Sequence, residues 1–340
     1  METQPTQLES KFGLLSELSC IILIVMNNRF TARLALSFIL TIASVIVAGP
    51  ISHNHPPVNA ISAGMGLNGV AMYDDPSTIF WNASGLNRME QMGLDFTVAA
   101  PTLESPGSWS FLLANASKEQ NSRFGFGMVR HHAKSEGHSF KSFATILPFS
   151  HGFKAGNIPF GFSLKLISES INEETWKYGM SVDMGAMWIL PTGFKFGIST
   201  QNVGGSDLQS FKTKSWFGGY WDSELSLLSF SSQVRAERPF DADFINQNFR
   251  LGVNYQITEL PFVRDRQVET AEIRSGLMKI DSKMWYSFGF DLVQTGSNTH
   301  IGYAVVIEAK TWSGRSHYIT YGYRYTAEKH RKSHGGTPFS

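Results

Sequence analysis

Apolar and small or polar residues trade places along much of the chain after residue 90. In 177–190, Tyr178, Met180, Val182, Met184, Ala186, Trp188 and Leu190 share one parity, and Gly179, Ser181, Asp183 and Gly185 fill the other. Side chains of a strand point alternately to its two faces, so this period of two predicts a strand with one apolar face. The pattern recurs at Phe160, Phe162, Leu164 and Leu166, at Phe194, Phe196 and Ile198, and at Phe249, Leu251, Val253 and Tyr255. It appears again at Tyr286, Phe288, Phe290 and Leu292, and at Ile301, Tyr303, Val305 and Ile307. Shorter copies are Trp109, Phe111 and Leu113, and Phe124, Phe126 and Met128. Ten steps at about 3.3 Å, tilted near 45°, span roughly 23 Å, close to the apolar band of an outer-membrane barrel at about 25 Å.

A soluble β-sandwich also alternates. Against it stand apolar faces topped by aromatics and an opposite face of glycine and isolated charges. Weaker segments near 214–222, 225–234 and 270–280 bring the count to 12 to 14 strands, and the preference for even numbers leads to 14. The fold expected is all-β, a transmembrane antiparallel barrel over 93–326, with its last strand at Ser316 to Tyr325. Segments 203–224, 235–247 and 258–283 show no clear alternation. The last carries Glu259, Arg264, Asp265, Arg266, Glu269, Glu272 and Arg274 and is expected outside the bilayer. A basic tail, 327–340, follows.

Composition agrees with strands in lipid. Charged residues make up 17% of the chain, against roughly 25% in soluble domains, while aromatics reach 13% with 31 glycines. A net charge of +1 gives no reason to expect nucleic acid. The inward-facing set predicted by parity is Lys165, Asp183, Lys195, Arg250, Asn254, Asp291, Glu308 and Arg324, a polar wall of mixed sign.

The N-terminus adds an address. From Met26, Arg29 and Arg33 precede an apolar run, Leu34 to Val47, that ends at Ala48. This predicts a cleaved secretory signal over 26–48 and an outer-membrane destination, with 1–25 as a mis-annotated extension. Cys20, the only cysteine, lies ahead of the cleavage point, so the mature chain has no thiol for a disulfide, metal or nucleophile.

Between signal and first strand lies a small-residue run, Ala63-Gly64-Met65-Gly66-Leu67-Asn68-Gly69-Val70-Ala71, and then Asp74-Asp75-Pro76-Ser77-Thr78-Ile79-Phe80-Trp81-Asn82-Ala83-Ser84-Gly85-Leu86. The Gly64-x-Gly66-x-x-Gly69 spacing matches a dinucleotide fingerprint only formally, since no strand precedes it and no βαβ unit follows. Small residues here let backbone pack closely in a confined space. No Gly-x-Ser-x-Gly, His-Glu-x-x-His or P-loop occurs, so no catalytic residue, metal or cofactor is expected. His53 and His55 read as a solvated linker.

These motifs resemble the FadL-like outer-membrane family: transporters of long-chain fatty acids and hydrocarbons, and the related PorV/PorQ-type barrels of type IX secretion. The resemblance rests on the small-residue run, the Asp-Asp-x-Ser turn and Trp81 to Leu86, where Ala83 stands at the family's usual proline. It implies a 14-stranded barrel whose N-terminal segment, about 49–92, folds inward as a hatch. Ligand or hatch residues would then be Gly64, Gly66, Gly69, Phe80, Trp81, Asn82, Gly85 and Leu86. The function implied is not enzymatic. It is passive transport of a fatty acid or other hydrophobic ligand across outer-membrane lipid; the competing reading is a scaffold that binds a secretion-system protein through 203–224 and 258–283.

Overall fold

The computed structural model describes residues 58–325, except 73–74, 90 and most of the connections between strands. The predicted extension, signal and tail lie outside the described residues. Fourteen strands form the wall: β1 (Met92–Ala100), β2 (Ser108–Asn115), β3 (Ser122–Ser135), β4 (His138–Gly152), β5 (Pro159–Ile171), β6 (Lys177–Ile189), β7 (Phe194–Val203), β8 (Lys214–Asp222), β9 (Leu228–Ala236), β10 (Phe249–Ile257), β11 (Val268–Ile280), β12 (Lys283–Gln294), β13 (Thr299–Glu308) and β14 (Arg315–Tyr325). Each pairs antiparallel with its neighbours in sequence, and β1 pairs with β14 from Met92↔Tyr325 to Ala100↔His317, closing the barrel.

Closure leaves no free edge, so every wall strand can satisfy its backbone within the sheet, which lipid demands. The apolar parity faces out: Phe288 is 54% exposed, and Phe162, Met184, Ile198, Leu251 and Ile273 are exposed as well. Cross-strand aromatic rows mark the end where the chain enters and leaves the wall. Phe124, Phe149 and Phe162 follow one another at 5.0 Å, and Phe194, Trp221 and Phe230 stack at 5.9 and 5.7 Å. Rings at one level around a barrel suit a membrane interface.

The weaker segments near 214–222 and 270–280 are wall strands, β8 and β11. One expectation needs correction: 258–283 does not lie wholly outside the wall, because from Val268 onward it is β11, whose alternation is weakened by its ionic inner face. Ile273 and Leu277 face out while Arg274 is buried inside, in an ion pair with Glu272. The last strand begins one residue earlier than expected, at Arg315.

Residues 58–72 and 75–89 run inside the wall. They form a short helix α1 (Ala60–Gly64), a second, α2 (Thr78–Trp81), and a 3-10 helix (Ala83–Arg88). Asn59 caps α1 by accepting the Ser62 N–H, and Asn82 caps the 3-10 helix by accepting the Ser84 N–H. Ala83 is the first residue of that helix, a position that would also accept proline.

Candidate functional site

Inside a barrel, the backbone groups of an irregular segment need partners from the wall. Here the inward parity of seven strands supplies them. Thr320 Oγ1 accepts from Ala60 N (2.7 Å), and Ser287 Oγ accepts from Gly66 N (3.0 Å) while donating to Gly64 O (2.8 Å). Arg250 Nη1 donates to Leu67 O (2.6 Å), and Gln233 Oε1 accepts from both Gly69 N and Val70 N (3.0 and 3.2 Å). Gln201 Nε2 donates to Phe80 O (2.7 Å), and Gln201 Oε1 accepts from Trp216 Nε1 (3.0 Å). Ser110 donates to Val58 O and Ser150 to Ser84 O.

Glycines of the inward parity make room for this segment. A Cβ on Gly197 would stand 2.1 Å from Val70 O, and one on Gly161 would stand 2.3 Å from Ser84 N. The same holds at Gly252 and Gly276, 2.4 Å from Met65 O and Gly66 N. Real side chains do not approach that closely, so the glycine face seen in the sequence is the imprint of the inner segment.

The aromatic centre is Trp81, 1% exposed, with its ring edge-on to Phe80 at 5.1 Å and to Trp216 at 6.0 Å. Arg250 lies over both indoles, 4.3 Å from Trp216 and 5.4 Å from Trp81. Gly69 is obligatory beneath Trp81, since a Cβ there would be 2.0 Å from Cδ1 of the ring. Asn82 Nδ2 donates to Val70 O (2.8 Å) and to Ala186 O (3.2 Å), tying the two halves of the segment together. Gly85 turns tightly against Thr78, and Leu86 is fully buried. Gly64 packs on Gly289, whose Cβ would be 3.1 Å from the Gly64 Cα.

The electrostatic centre lies across the barrel, on β11 to β14 and β1. Asn59 Nδ2 donates to Asp75 Oδ1 (2.7 Å) and to Asp95 Oδ2 (3.3 Å). Arg324 spans the two carboxylates, 2.5 Å from Asp95 and 3.4 Å from Asp75. His300 places Nε2 3.0 Å from Asp95 Oδ1 and Nδ1 3.1 Å from Asp291 Oδ1, and Asp291 reaches Arg274 at 3.9 Å. Burial and the neighbouring Asp95 carboxylate push Asp75 above the usual carboxylate range, against the pull of Arg324 and the Ser77 hydrogen bonds.

No family model matches the chain. Solved structures with the same architecture do. A monoaromatic hydrocarbon channel, CymD, aligns over 78% of this chain and 97% of its own at 10% identity, with a TM-score of 0.58. The toluene transporter TbuX of Ralstonia pickettii aligns over 82% and 99% at 12% identity (TM-score 0.55), and a FadL homologue of Pseudomonas aeruginosa over 82% and 100% at 10% identity (TM-score 0.53). The chain shares the barrel fold of these structures.

In this barrel the inward parity predicted from the sequence splits into groups. Arg324 and Asp291 join the charged centre, and Arg250 joins the aromatic one. Lys165 Nζ lies 2.6 Å from Asp183, donates to Asn202 Oδ1 (3.2 Å) and covers the Phe80 ring at 5.0 Å. Lys195 sits over Tyr220 at 4.7 Å. Asn254 faces in opposite Arg274 across the β10–β11 register, and Glu308 meets exposed Lys283 at 3.4 Å at the rim. Sequence reasoning passed over Asp75 as a site residue, and with it Asp95, His300, Gln201, Trp216 and Gln233. Parity alone places His300 inside, one residue before outward Ile301. Nothing local announces that Gln201 or Gln233 receives a backbone 120 or more residues away in the chain.

Proposed function

We propose that this FadL-like barrel resides in the outer membrane, reached through the signal over 26–48, and passively admits a hydrophobic small molecule past the inner segment. One observation carries the reading. The β3–β4 ladder has no pair at Gly125 and Phe126, opposite Leu147 and Pro148, although it is continuous in register on both sides. Pro148 has no N–H to give that ladder, so the β3–β4 pairing is interrupted there. The segment meets this point with an apolar side chain: a Cβ on Gly125 would be 3.0 Å from both Ile79 Cδ1 and Pro148 Cγ. A hydrophobic molecule moving past Ile79 would leave sideways into lipid without crossing the charged arc. The fold shared with a hydrocarbon channel and a toluene transporter supports the same substrate class.

The scaffold reading loses much of its docking surface, because 214–222 and 268–280 are wall. The test is uptake of toluene and of a long-chain fatty acid by vesicles carrying the purified barrel, with native mass spectrometry for retained ligand. Faster uptake than empty vesicles, reduced several-fold by Pro148→Val, supports transport. Uptake equal to empty vesicles, with a protein partner retained through purification, favours the scaffold.

A further inference from the structure

One strand pair differs in kind from the rest. Every other pair in the wall joins neighbours in sequence, while β1 with β14 joins the two ends of the sheet. A hairpin forms locally, whereas this seam closes the longest loop in the wall, and the entropy of that closure is lost before any seam contact forms.

Seven consecutive residues, Val58 to Gly64, lie across the seam on its inner side and meet six strands in their spatial order. Val58 O accepts from Ser110 of β2 (2.7 Å), Asn59 Nδ2 donates to Asp95 of β1 (3.3 Å), and Ala60 N donates to Thr320 of β14 (2.7 Å). On β13, a Cβ at Gly302 would stand 3.1 Å from Ala60 Cβ. Gly64 O accepts from Ser287 of β12 (2.8 Å), and a Cβ at Gly64 would stand 3.1 Å from Arg274 Cβ on β11. Thr320 also meets Thr97 of β1 at 2.8 Å, so the hydroxyl that holds Ala60 belongs to the seam itself.

A stretch of seven residues reaches at most about 25 Å. In a sheet whose ends are apart, it can lie on β2 and β1 or on β12 and β11, but not on both. The full set of contacts therefore forms only when the seam does, and each contact made only by the closed barrel stabilises closure by what it contributes. Small residues permit it: Ala60, Ser62, Ala63 and Gly64 are all buried, and α1 packs its backbone directly on the wall.

We propose that Val58–Gly64 is an internal clasp that drives closure of the barrel by holding β1 and β2 to β11–β14. This role in assembly goes beyond the transport reading and stands whether or not anything passes through the barrel.

Crosslinking during refolding tests it. Val98 and Ile319 are directly opposite across the seam on the outer face, and Leu164 and Val182 are opposite across the β5–β6 hairpin. Opposed strand residues come close enough for a disulfide. In a Cys20→Ser background, the pair Val98→Cys with Ile319→Cys reports the seam, and the pair Leu164→Cys with Val182→Cys reports a local hairpin. The full chain is unfolded in urea and diluted into lipid vesicles with oxidant, and crosslinked bands are followed in time.

Gly64→Leu presses on Arg274 and Gly289 and lifts the clasp from β11 and β12. It should slow the seam crosslink at least tenfold and the hairpin crosslink less than twofold, since a contact formed at closure acts on the rate of closing. Ser287→Ala, which removes the partner of Gly64 O and Gly66 N without adding bulk, should slow the seam about threefold. Gly197→Val, which disturbs the same inner segment at Val70, should leave the seam within about twofold of the parent. A seam crosslink as fast as the parent's in both Gly64→Leu and Ser287→Ala overturns the clasp. So does equal slowing of seam and hairpin in both, or a Gly197→Val chain that closes as slowly as Gly64→Leu.

Discussion

The inner segment meets two different walls. Along β11 to β14 and β1 it faces Arg324, Asp95, His300, Asp291 and Arg274; along β5 to β10 it faces mostly glycines, glutamines and indoles, with Arg250 on the Leu67 carbonyl and Lys165 over Phe80 as its cations. Charge in a dry interior is costly to leave unpaired, so an ionic contact fixes position and resists separation. Neutral amide contacts are worth about 0.5–1.5 kcal/mol each and can be exchanged for water. The barrel thus has an anchoring arc and a yielding arc on one closed sheet.

The largest effect should come from breaking the anchoring arc. Arg324→Met leaves Asp75 and Asp95 buried without their shared cation, and loss of one partner of a buried pair costs about 3–5 kcal/mol. We expect a lower thermal midpoint of the heat-modifiable band on gels and proteolysis of 58–89 at temperatures where the wild type resists. If Arg324→Met matches the wild type, the arc does not anchor.

On the yielding arc, Gly197→Val should fill the space of the Val70 carbonyl and cost about 1–3 kcal/mol of segment docking, as overpacking does. The barrel itself should still close, because Gly197 keeps its backbone pairs with β6 and β8. Protease protection of the segment, compared with heat modifiability of the barrel, separates the two. Gln233→Ala should cost less, about 1–2 kcal/mol for two neutral hydrogen bonds, with faster exchange at Gly69 and Val70 and none at Ala60.

The smallest effect concerns pH. With Asp75 raised above its unfolded value, the stability it contributes is fully present below the ordinary carboxylate range and is lost as pH rises through its folded value. Docking of the segment should therefore weaken slightly as pH climbs from the carboxylate range toward neutrality. Asp75→Asn keeps an oxygen to accept from Asn59 and Ser77 and should flatten that dependence. A wild-type docking stability that rises over the same window would reverse the sign assigned to Asp75.

Legibility followed the solvent each face meets. Strands with lipid on one side, such as β6 and β12, announced themselves because Met180, Met184, Phe288 and Phe290 must be apolar whatever lies inside. Strand β11 showed only weakly, because Glu272 and Arg274 on its inner face read as a charged loop until their pairing with each other and with Asp291 of β12 is in place. Trp81 and Gly69 of the inner segment were legible as a motif, yet their mutual dependence, a ring resting where a Cβ would be, exists only in three dimensions.

By itself the sequence determined the period of two, the barrel class, the count of strands and which parity lies inward, since these follow from local alternation against a membrane of fixed thickness. Tertiary structure alone decided which inward residues meet. Asp75 finds Arg324 across 249 positions and Gly69 finds Gln233 across 164, and such pairings depend on how a segment with no period of its own lies within a closed wall. Alternation is a property of neighbours in the chain, whereas these contacts are properties of neighbours in space.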